Sequence, residues 1–549
     1  MTKAASAILN TVRTSTCELC CIHCSHGCLR AADHPSHPAM HPDSENKAGR
    51  PELAKQAMGG FMWLSAANGV RAVLKVAFLA ILARLLTPAE FGVLGAAMVV
   101  VWLSMLITTL GVGPALVQRR TLEERHIATA LVTSIALGAT LAIVVWQSAP
   151  VLGGLLGVEE AIPLLRVLAL AFPIGSLATV AECLLQRNMR FRAIATAELI
   201  SYAVGYGAVG VTLAWMDYGV WALVAAEMSK LAIKSVAMLF AVPESLRFRF
   251  DTRAFAELFH FGSGYTITSI TTYLAMQGDK FVTARFLGAA SLGIYARAYE
   301  LMMVPAQALG VILEKVLFPT LSRLQGDLAG LRTGYRRGMA LVALLVMPIS
   351  MLTIILAPEI VRVMLGDQWS QVVLPLRILA VAMYFRVGYM VGQSVANATG
   401  AVHRLSARNS IYAVLVVAGA LAGYRWGLGG LAAGIAVAIS INFLMVWRLA
   451  SSLTGLPLRD MLSLHLIPAR NAMLAGIVAE AMAVPLRAAG TSEFLVLVAC
   501  LTAVFVIAAV ALRLAPVLLL GKDGNWFASM LLHNASVQLR PYLLRLPFS

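Results

Sequence analysis

Charged residues are scarce in this sequence: 13% of its 549 residues are Asp, Glu, Lys or Arg, while 59% are hydrophobic. Soluble domains carry about 25% charged and about 45–50% apolar residues, so about half of the usual charge is missing. This shortage excludes a soluble globular protein. Strand-like alternation of apolar and polar residues is missing as well, which argues against a membrane barrel.

Acidic residues are the rarer sign, since 27 Asp and Glu face 43 Lys and Arg, a net charge of +16. In a soluble protein this excess would suggest nucleic-acid binding, whereas in a membrane protein basic residues collect in cytoplasmic loops. Loops on one side contain arginines such as Arg119, Arg187, Arg332 and Arg404, and the opposite loops contain far fewer. We therefore expect a multi-pass membrane protein with both termini in the cytoplasm and no nucleic-acid partner.

Long apolar runs fill the sequence from residue 58 onward. A helix needs about 20 apolar residues to cross the hydrocarbon core, and that window gives fourteen candidate spans. They lie at about residues 62–83, 91–113, 127–148, 163–185, 194–215, 219–241, 258–284, 292–317, 338–357, 374–397, 409–424, 428–450, 466–486 and 493–514.

An internal repeat organises these spans. Residues 84–93 align with residues 285–294, and residues 165–169 align with residues 376–380. Each pair occupies the same place in its half of the chain. Because a half contains six spans, both halves enter the membrane in the same orientation. We expect an all-α integral membrane protein of two parallel six-helix bundles related by a pseudo-twofold axis, with two extra C-terminal helices.

These patterns also predict domain boundaries. The first bundle is expected at 58–241 and the second at 258–450, joined by a cytoplasmic linker at 242–257. Residues 451–520 contain the two additional helices, and 521–549 form a cytoplasmic tail.

The leader, residues 1–57, is chemically unlike the rest of the chain. It contains five histidines and five of the seven cysteines, namely Cys17, Cys20, Cys21, Cys24 and Cys28. Such ligands could bind Zn²⁺ or Cu⁺, but a second ligand pair at zinc-finger spacing is missing. The alternative, which we favour, is a disordered extension that reflects the choice of start codon, because Met58 stands just before the first span. We expect no metal site.

Several segments resemble the polysaccharide flippases, the Wzx-type polysaccharide transporters of the superfamily that also contains multidrug exporters and the lipid II flippase. The segments that carry this resemblance are residues 82–92, 111–119, 184–191, 279–280, 287–295 and 318–325. The resemblance implies export of polyprenyl-diphosphate-linked oligosaccharide repeat units across the bacterial inner membrane, for exopolysaccharide, capsule or O-antigen. It also implies membrane lipids as surroundings, a polysaccharide polymerase and export machinery as partners, and no cofactor.

An anionic diphosphate needs a polar, cationic path through the bilayer, where a buried charge costs about 2.5–3.5 kcal/mol on insertion scales. Basic residues within the spans are therefore the candidate substrate-binding groups: Arg71, Lys75, Lys280, Arg297 and Arg386. Polar residues at helical spacing are predicted to support them: Asn68, Tyr273, Gln277, Asp279, Glu227, Lys230, Lys234, Gln393 and Asn397.

Some of these charges have a structural alternative. Glu227 with Lys230 or Lys234 could be an internal ion pair that fixes helix packing, and Arg297 could pair with Glu300. The hydroxyl-bearing face of the seventh span could serve helix–helix packing alone.

Three functions compete at this point. A lipid-linked oligosaccharide flippase requires basic cavity residues, whereas a cation-coupled multidrug exporter of the same fold would favour acidic ones. Lipid II transport is a related alternative to both. A membrane enzyme is disfavoured because the longest outer loop, about 358–373, has no His and no clustered carboxylates of the metal-binding kind.

Overall fold

A computed structural model describes residues 50–109, 116, 119, 122–246 and 248–534. Inside that part of the chain, the side chains of some residues are not described, namely 50–62, 64–68, 109, 244, 258–271, 274–275, 308, 311–312, 314–316, 458, 527–528 and 530–534. The predictions made for the Cys/His-rich leader lie outside the described residues, apart from the helix that begins at Arg50.

The first half of the chain forms six long helices. They are α1 (Arg50–Leu85), α2 (Pro88–Thr109), α3 (Glu124–Leu156), α4 (Ala161–Arg187), α5 (Phe191–Trp215) and α6 (Val220–Ala241). Helix α4 is interrupted after Leu168, and α5 contains a π-helical segment at Ala203–Gly210. Pro88 begins α2, where its missing N–H costs nothing, and Gly157 ends α3 in the left-handed conformation.

The second half repeats this arrangement and adds helices after it. They are α7 (Thr252–Ser322), α8 (Leu328–Ile355), α9 (Ala357–Met364), α10 (Val373–Ala398), α11 (Val402–Gly423), α12 (Gly427–Thr454), α13 (Leu458–Ala488), α14 (Glu493–Leu514) and α15 (Pro516–Asn534). The Asp251 and Asp327 carboxylates cap α7 and α8 by accepting from the backbone amides of Ala254 and Gly330.

Helix α7 is 71 residues long and bends at Gly288, whose φ of 80° and ψ of 175° are not helical. A residue with a side chain rarely adopts that φ, so glycine is suited to this position. The bend divides α7 into a first arm, residues 252–287, and a second arm, residues 289–322. The two arms correspond to the seventh and eighth predicted spans.

Each predicted span falls on one of these helices or arms, so the chain is an all-α integral membrane protein. Nine stretches of the described chain are long and apolar enough to cross a membrane, and one of them, Val402–Thr454, contains both α11 and α12. Helix α6 is 22 residues long but carries Glu227, Lys230 and Lys234, the charges that were candidates for the site.

The two halves contact each other reciprocally through the repeated motif. A Cβ atom on Gly92 would collide with the backbone carbonyl of Ala289, and a Cβ on Gly293 would collide with that of Pro88. Gly92 and Pro88 are aligned with Gly293 and Ala289 in the repeat. The same contact is therefore made twice, as a pseudo-twofold axis between the two bundles requires.

A second reciprocal contact lies in the neighbouring loops. The Arg285 backbone packs against Gly157, and the Arg84 side chain packs against Gly366. The indole N–H of Trp369 donates to the Ala83 carbonyl at 2.6 Å, which ties the second half to the end of α1. This bond satisfies the carbonyl of Ala83 in the last turn of α1, where carbonyls lack a partner inside the helix.

The C-terminal helices lie against the second bundle. Helix α13 packs along α8, and Arg487 of α13 donates to both oxygens of the buried Glu359 at 2.7 and 3.1 Å. Arg336 of α8 pairs with Asp523 of α15 at 2.8 Å. Helix α14 packs against α13 and α9, so both extra membrane helices are attached to the second half.

Candidate functional site

A central cavity of about 320 Å³ lies where the two halves meet. Residues of α1, α2, α5, α6 and both arms of α7 line it. Its charged and polar lining residues are Lys75, Lys230, Lys280, Arg297, Glu227, Glu300, Gln277, Tyr202 and Tyr206. Six of them were predicted from the sequence, and they come from three helices that are distant along the chain.

Two ion-pair groups occupy the cavity wall. Lys230 contacts both carboxylate oxygens of Glu227 at 2.6 and 2.7 Å. Glu300 is shared, because Lys75 lies 2.7 Å from one of its oxygens and Arg297 lies 2.6 Å from the other. Since Lys75 belongs to α1 and Glu300 to the second arm of α7, this pair joins the two halves.

Lys280 is the exception among these cations. Within the described part of the chain, its ammonium group has no carboxylate within 4.0 Å, and only its backbone N–H bonds to Asp279. The lining therefore carries four cations against two carboxylates. Because the surroundings have a low dielectric constant, this excess attracts anions more strongly than the same charges would in water.

Aromatic rings line one side of the cavity. Tyr202 and Tyr206 stack with ring centroids 4.9 Å apart, and the Tyr206 hydroxyl donates to Glu227 at 2.8 Å. The Arg297 guanidinium lies 4.8 Å from the centre of the Phe91 ring. These contacts fix the orientation of Glu227 and Arg297 before any ligand arrives.

Arg71 and Lys234 were predicted for the site, but neither lines the central cavity. Arg71 pairs with Glu198 at 2.5 Å, while Lys234 lies 3.0 Å from Glu182 and 3.6 Å from Glu198. These four residues form a chain of alternating charge that links α1, α4, α5 and α6. Lys234 therefore forms an internal ion pair, which was the structural alternative considered for it. Its partners are Glu182 and Glu198 rather than Glu227.

Asp279 and Tyr273 lie behind the cavity surface. Asp279 is 3% exposed and accepts a hydrogen bond from the Tyr295 hydroxyl at 2.6 Å. The Tyr273 hydroxyl donates to the Val99 carbonyl at 2.6 Å, which attaches the first arm of α7 to α2. Gln277, one turn away from Tyr273, does line the cavity.

Arg386 lies in α10, away from the central cavity. Its guanidinium is 5.9 Å from the centre of the Tyr389 ring, and its buried Nε has no hydrogen-bond partner in the structure as described. The prediction for Asn68 cannot be placed, since its side chain lies outside the described residues.

Gln393 and Asn397 line a second cavity of about 360 Å³, between α10 and the second arm of α7. Gln307, Gly310, Phe318 and Ser394 also line it. The polar residues predicted for one site are therefore distributed over two cavities.

A polar cluster joins the start of α7 to the first half at the predicted cytoplasmic side. Glu257 pairs with Arg119, and the ring of the buried His126 lies 3.3 Å from the same carboxylate oxygen. The hydrogen bond from Arg119, followed by that from His126, holds the pKa of Glu257 below its ordinary value.

Sequence reasoning missed Tyr202, Tyr206 and Glu198 and did not place Glu300 in the site. A signal was present for the tyrosines: they stand four residues apart, Tyr202 just before the glycine-rich stretch 203–210 and Tyr206 within it. That stretch is the π-helical segment of α5, and such segments are frequent at functional sites. Among the described residues, no group of three His, Cys, Asp or Glu could hold a metal ion.

Known proteins resemble the chain in sequence and in fold. Lipopolysaccharide biosynthesis protein WzxC of Escherichia coli (strain K12) is 24% identical over 397 residues, which cover 72% of this chain and 79% of WzxC. Succinoglycan biosynthesis transport protein ExoT of Rhizobium meliloti (strain 1021) is 30% identical over 298 residues, 54% of this chain and 60% of ExoT.

Among solved structures, the lipid II flippase MurJ in its inward closed conformation superposes with a TM-score of 0.68 at 14% identity, covering 82% of this chain and 99% of MurJ. At this identity the likeness concerns the fold. The sequence model of the family described as "Polysaccharide biosynthesis protein" matches residues 81–374, more than half of the chain, and the chain therefore belongs to this polysaccharide biosynthesis protein family.

Proposed function

We propose that this protein is a flippase that moves polyprenyl-diphosphate-linked oligosaccharide repeat units across the bacterial inner membrane. Its family is one of polysaccharide biosynthesis, and one of its relatives is named as a succinoglycan transport protein. In this proposal both termini are cytoplasmic, and the halves 58–241 and 258–450 are the bodies that move. A polysaccharide polymerase and further export machinery receive the exported unit.

The observation that carries the proposal is the excess of cations in the central cavity. Lys75, Lys230, Lys280 and Arg297 face Glu227 and Glu300 there, so the lining keeps a net positive charge. The diphosphate is the charged part of the substrate, and a charge is costly to place within the hydrocarbon core. Lys280, which has no carboxylate partner in the described chain, is the group we assign to first contact with it.

The reciprocal glycine contacts explain how such a cavity can face one side at a time. Gly92 and Gly293 lie at the end of the cavity nearest the α1–α2 loop, which is the outer side in the proposed orientation. Close packing of the halves there closes the outer path while the substrate loads from inside. Rocking of the two bundles about the cavity then exposes the substrate outside, as in other carriers built from repeats.

Export of cationic drugs fits this cavity less well. Both carboxylates that line it are already paired, Glu227 with Lys230 and Glu300 with Lys75 and Arg297. A cationic ligand would have to displace lysine or arginine from them. Lipid II shares the diphosphate chemistry, and the family to which the chain belongs favours a polysaccharide precursor over it.

The test replaces Lys280 in cells that depend on this gene for surface polysaccharide. Lys280→Ala should lower export by roughly tenfold or more, because a charge–charge contact with the substrate is worth at least about 1.4 kcal/mol. Lys280→Arg should keep most of the export, since the positive charge stays. Exported polymer and lipid-linked intermediates retained in the cell are both measured.

Lys522→Ala is the matched control, because Lys522 is an exposed lysine of α15 that lines neither cavity. All variants are compared at equal amounts of protein in the membrane fraction. Normal export by Lys280→Ala, or equal losses in Lys280→Ala and Lys280→Arg, would remove the proposed role of this charge. Drug resistance that depends on Lys280, with unchanged polysaccharide, would favour the exporter.

A further inference from the structure

The second cavity differs chemically from the central one. Its polar lining consists of the side-chain amides of Gln307, Gln393 and Asn397 and the Ser394 hydroxyl, and none of its described lining residues is charged. A site without charged residues does not attract an anionic phosphate group by charge–charge interaction. Amides instead offer donors and an acceptor on one planar group, which suits a ligand rich in hydroxyl groups.

The amides in this cavity are available for a ligand. Gln393 and Asn397 stand four residues apart on α10, so they share one face of the helix. Across the described chain, the side-chain amides of Gln307, Gln393 and Asn397 make no hydrogen bond. By contrast, the Ser394 hydroxyl already donates to the Met390 carbonyl at 3.0 Å. Gln307 and Asn397 are exposed and Gln393 is half-buried, so their amide groups are accessible to a ligand that enters the cavity.

Phe318 adds an apolar surface to this set. It belongs to the second arm of α7 and is 39% exposed. A sugar ring has polar edges and an apolar C–H face, so an aromatic ring beside several amides matches both parts of it. The volume of about 360 Å³ is near the lower end of the roughly 300–1,000 Å³ typical of small-molecule sites, which suits part of a glycan.

The second arm of α7 relates the two cavities. Arg297 lines the central cavity and Gln307 lines the second one, ten residues further along the same helical arm. A rise of 1.5 Å per residue separates them by roughly 15 Å along the helix. A diphosphate at the first cavity and sugars at the second would therefore be separated by about the reach of a short saccharide.

We propose that the second cavity is a saccharide subsite, which binds neutral sugars of the lipid-linked unit through Gln307, Gln393 and Asn397 and stacks a sugar ring on Phe318. This inference rests on the proposed function, since it assigns the glycan part of the same substrate. In this proposal the central cavity binds the diphosphate of the substrate, and the second cavity binds its glycan.

The test compares two probes on the full-length protein in lipid nanodiscs. One probe is the pool of lipid-linked oligosaccharides extracted from cells that lack the transporter gene, and the other is undecaprenyl diphosphate without sugar. Gln393→Ala combined with Asn397→Ala should weaken binding of the first probe by roughly tenfold, as expected for two lost hydrogen bonds. Binding of undecaprenyl diphosphate should stay at the wild-type level.

Phe318 provides a second, independent variant. Phe318→Leu should weaken binding of the glycan-bearing probe, and Phe318→Trp should retain it. Val381→Ala is the control for the double variant of Gln393 and Asn397, because Val381 is an exposed apolar residue of the same helix, α10.

The outcomes separate the two proposals. If the double variant binds both probes as the wild type does, or loses both equally, the saccharide subsite is wrong while the flippase proposal stands. If the wild type binds neither probe, both proposals fail. Lys280→Ala should weaken both probes, which distinguishes loss of diphosphate binding from loss of glycan binding.

Discussion

Charged side chains in this protein are used in two different ways. Arg71, Glu198, Lys234 and Glu182 neutralise one another between four helices of the first half. Lys280 has no such partner among the described residues, although it lies on the cavity wall. Breaking a buried pair by removing one partner destabilises a protein, because the other charge is left without its partner. Lys280 forms no ion pair of this kind, so it is a better position than Arg71 for a test of function.

Glu257 gives a prediction for the pH dependence of stability. Its pKa is depressed by Arg119 and then by His126, so its ionised form is favoured in the folded state. A depressed pKa contributes stability that is present above the ordinary value of 4.5 and is lost as the pH falls through the lower folded value. Glu257→Gln should therefore lower the Tm of the purified protein at pH 7, and the difference from the wild type should shrink in acid.

The matched control for that measurement is Glu159→Gln, because Glu159 is exposed and forms none of the ion pairs found in the described chain. Its Tm should equal that of the wild type at both pH values. A Glu257→Gln difference that grows as the pH is lowered would contradict the assigned direction.

Helical periodicity accounts for where several of the predicted site residues lie, while their contact with a substrate stays a prediction. Lys75, Gln277 and Lys280 line the cavity because spacings of three and four place them on inward faces. Lys234 pairs with Glu182 and Glu198 instead of Glu227. These two residues lie on other helices, and packing sets how those helices are rotated relative to α6. No local sequence pattern encodes that rotation. For the same reason, the ion pairs of Arg71 with Glu198 and of Lys75 with Glu300 could not be predicted from the sequence.

Between elements, the crossing of α2 with the second arm of α7 depends on two glycines. Gly92→Val and Gly293→Val should each push the halves apart at the outer end of the cavity, because a side chain there would collide with backbone. The reciprocal geometry predicts similar effects for the two substitutions. The measurement is labelling of Ala296→Cys, in the cavity lining, by a thiol reagent that cannot cross the membrane, and both substitutions should increase it.

Gly154→Val is the control for this experiment, since a Cβ at Gly154 meets no atom within 4 Å. It should leave the labelling of Ala296→Cys unchanged. Unchanged labelling in both Gly92→Val and Gly293→Val would mean that this crossing does not close the cavity.

Most elements could be predicted from the sequence, because a membrane helix must be about 20 residues long and predominantly apolar. The bend of α7 was predicted only as a break between two spans, at about residues 285–291. Its continuity was not predicted, since whether a chain turns or bends at one glycine depends on what packs beside it. The π-helical segment of α5 was missed as well, because residues 203–210 are nearly all glycine, alanine and valine and carry no periodic pattern that distinguishes a π turn from an α turn.

At the scale of the whole molecule, the orientation in the membrane remains a proposal with a direct test. Reporter fusions are made after Gly157, after Gly326 and after Leu514, where one reporter is active only in the cytoplasm and another only outside. Fusions at Gly326 and Leu514 should be active in the cytoplasm, and fusions at Gly157 should be active outside, because the basic loops stay inside. The inverse pattern would place the glycine crossing at the cytoplasmic side and reverse the proposed direction of closure.

The position of Glu300 between Lys75 and Arg297 has a consequence for release of the substrate. A diphosphate that reaches both cations must displace a carboxylate that already neutralises them, so binding exchanges one anion for another. The affinity for the diphosphate is then the difference between its attraction to the two cations and that of Glu300. When the substrate leaves, Glu300 is in position to pair with both cations again. Since Lys75 and Glu300 belong to opposite halves, the same exchange removes a bond between the halves at the moment of loading. Occupancy of the cavity by substrate and the freedom of the two halves to move are thereby linked through the carboxylate of Glu300.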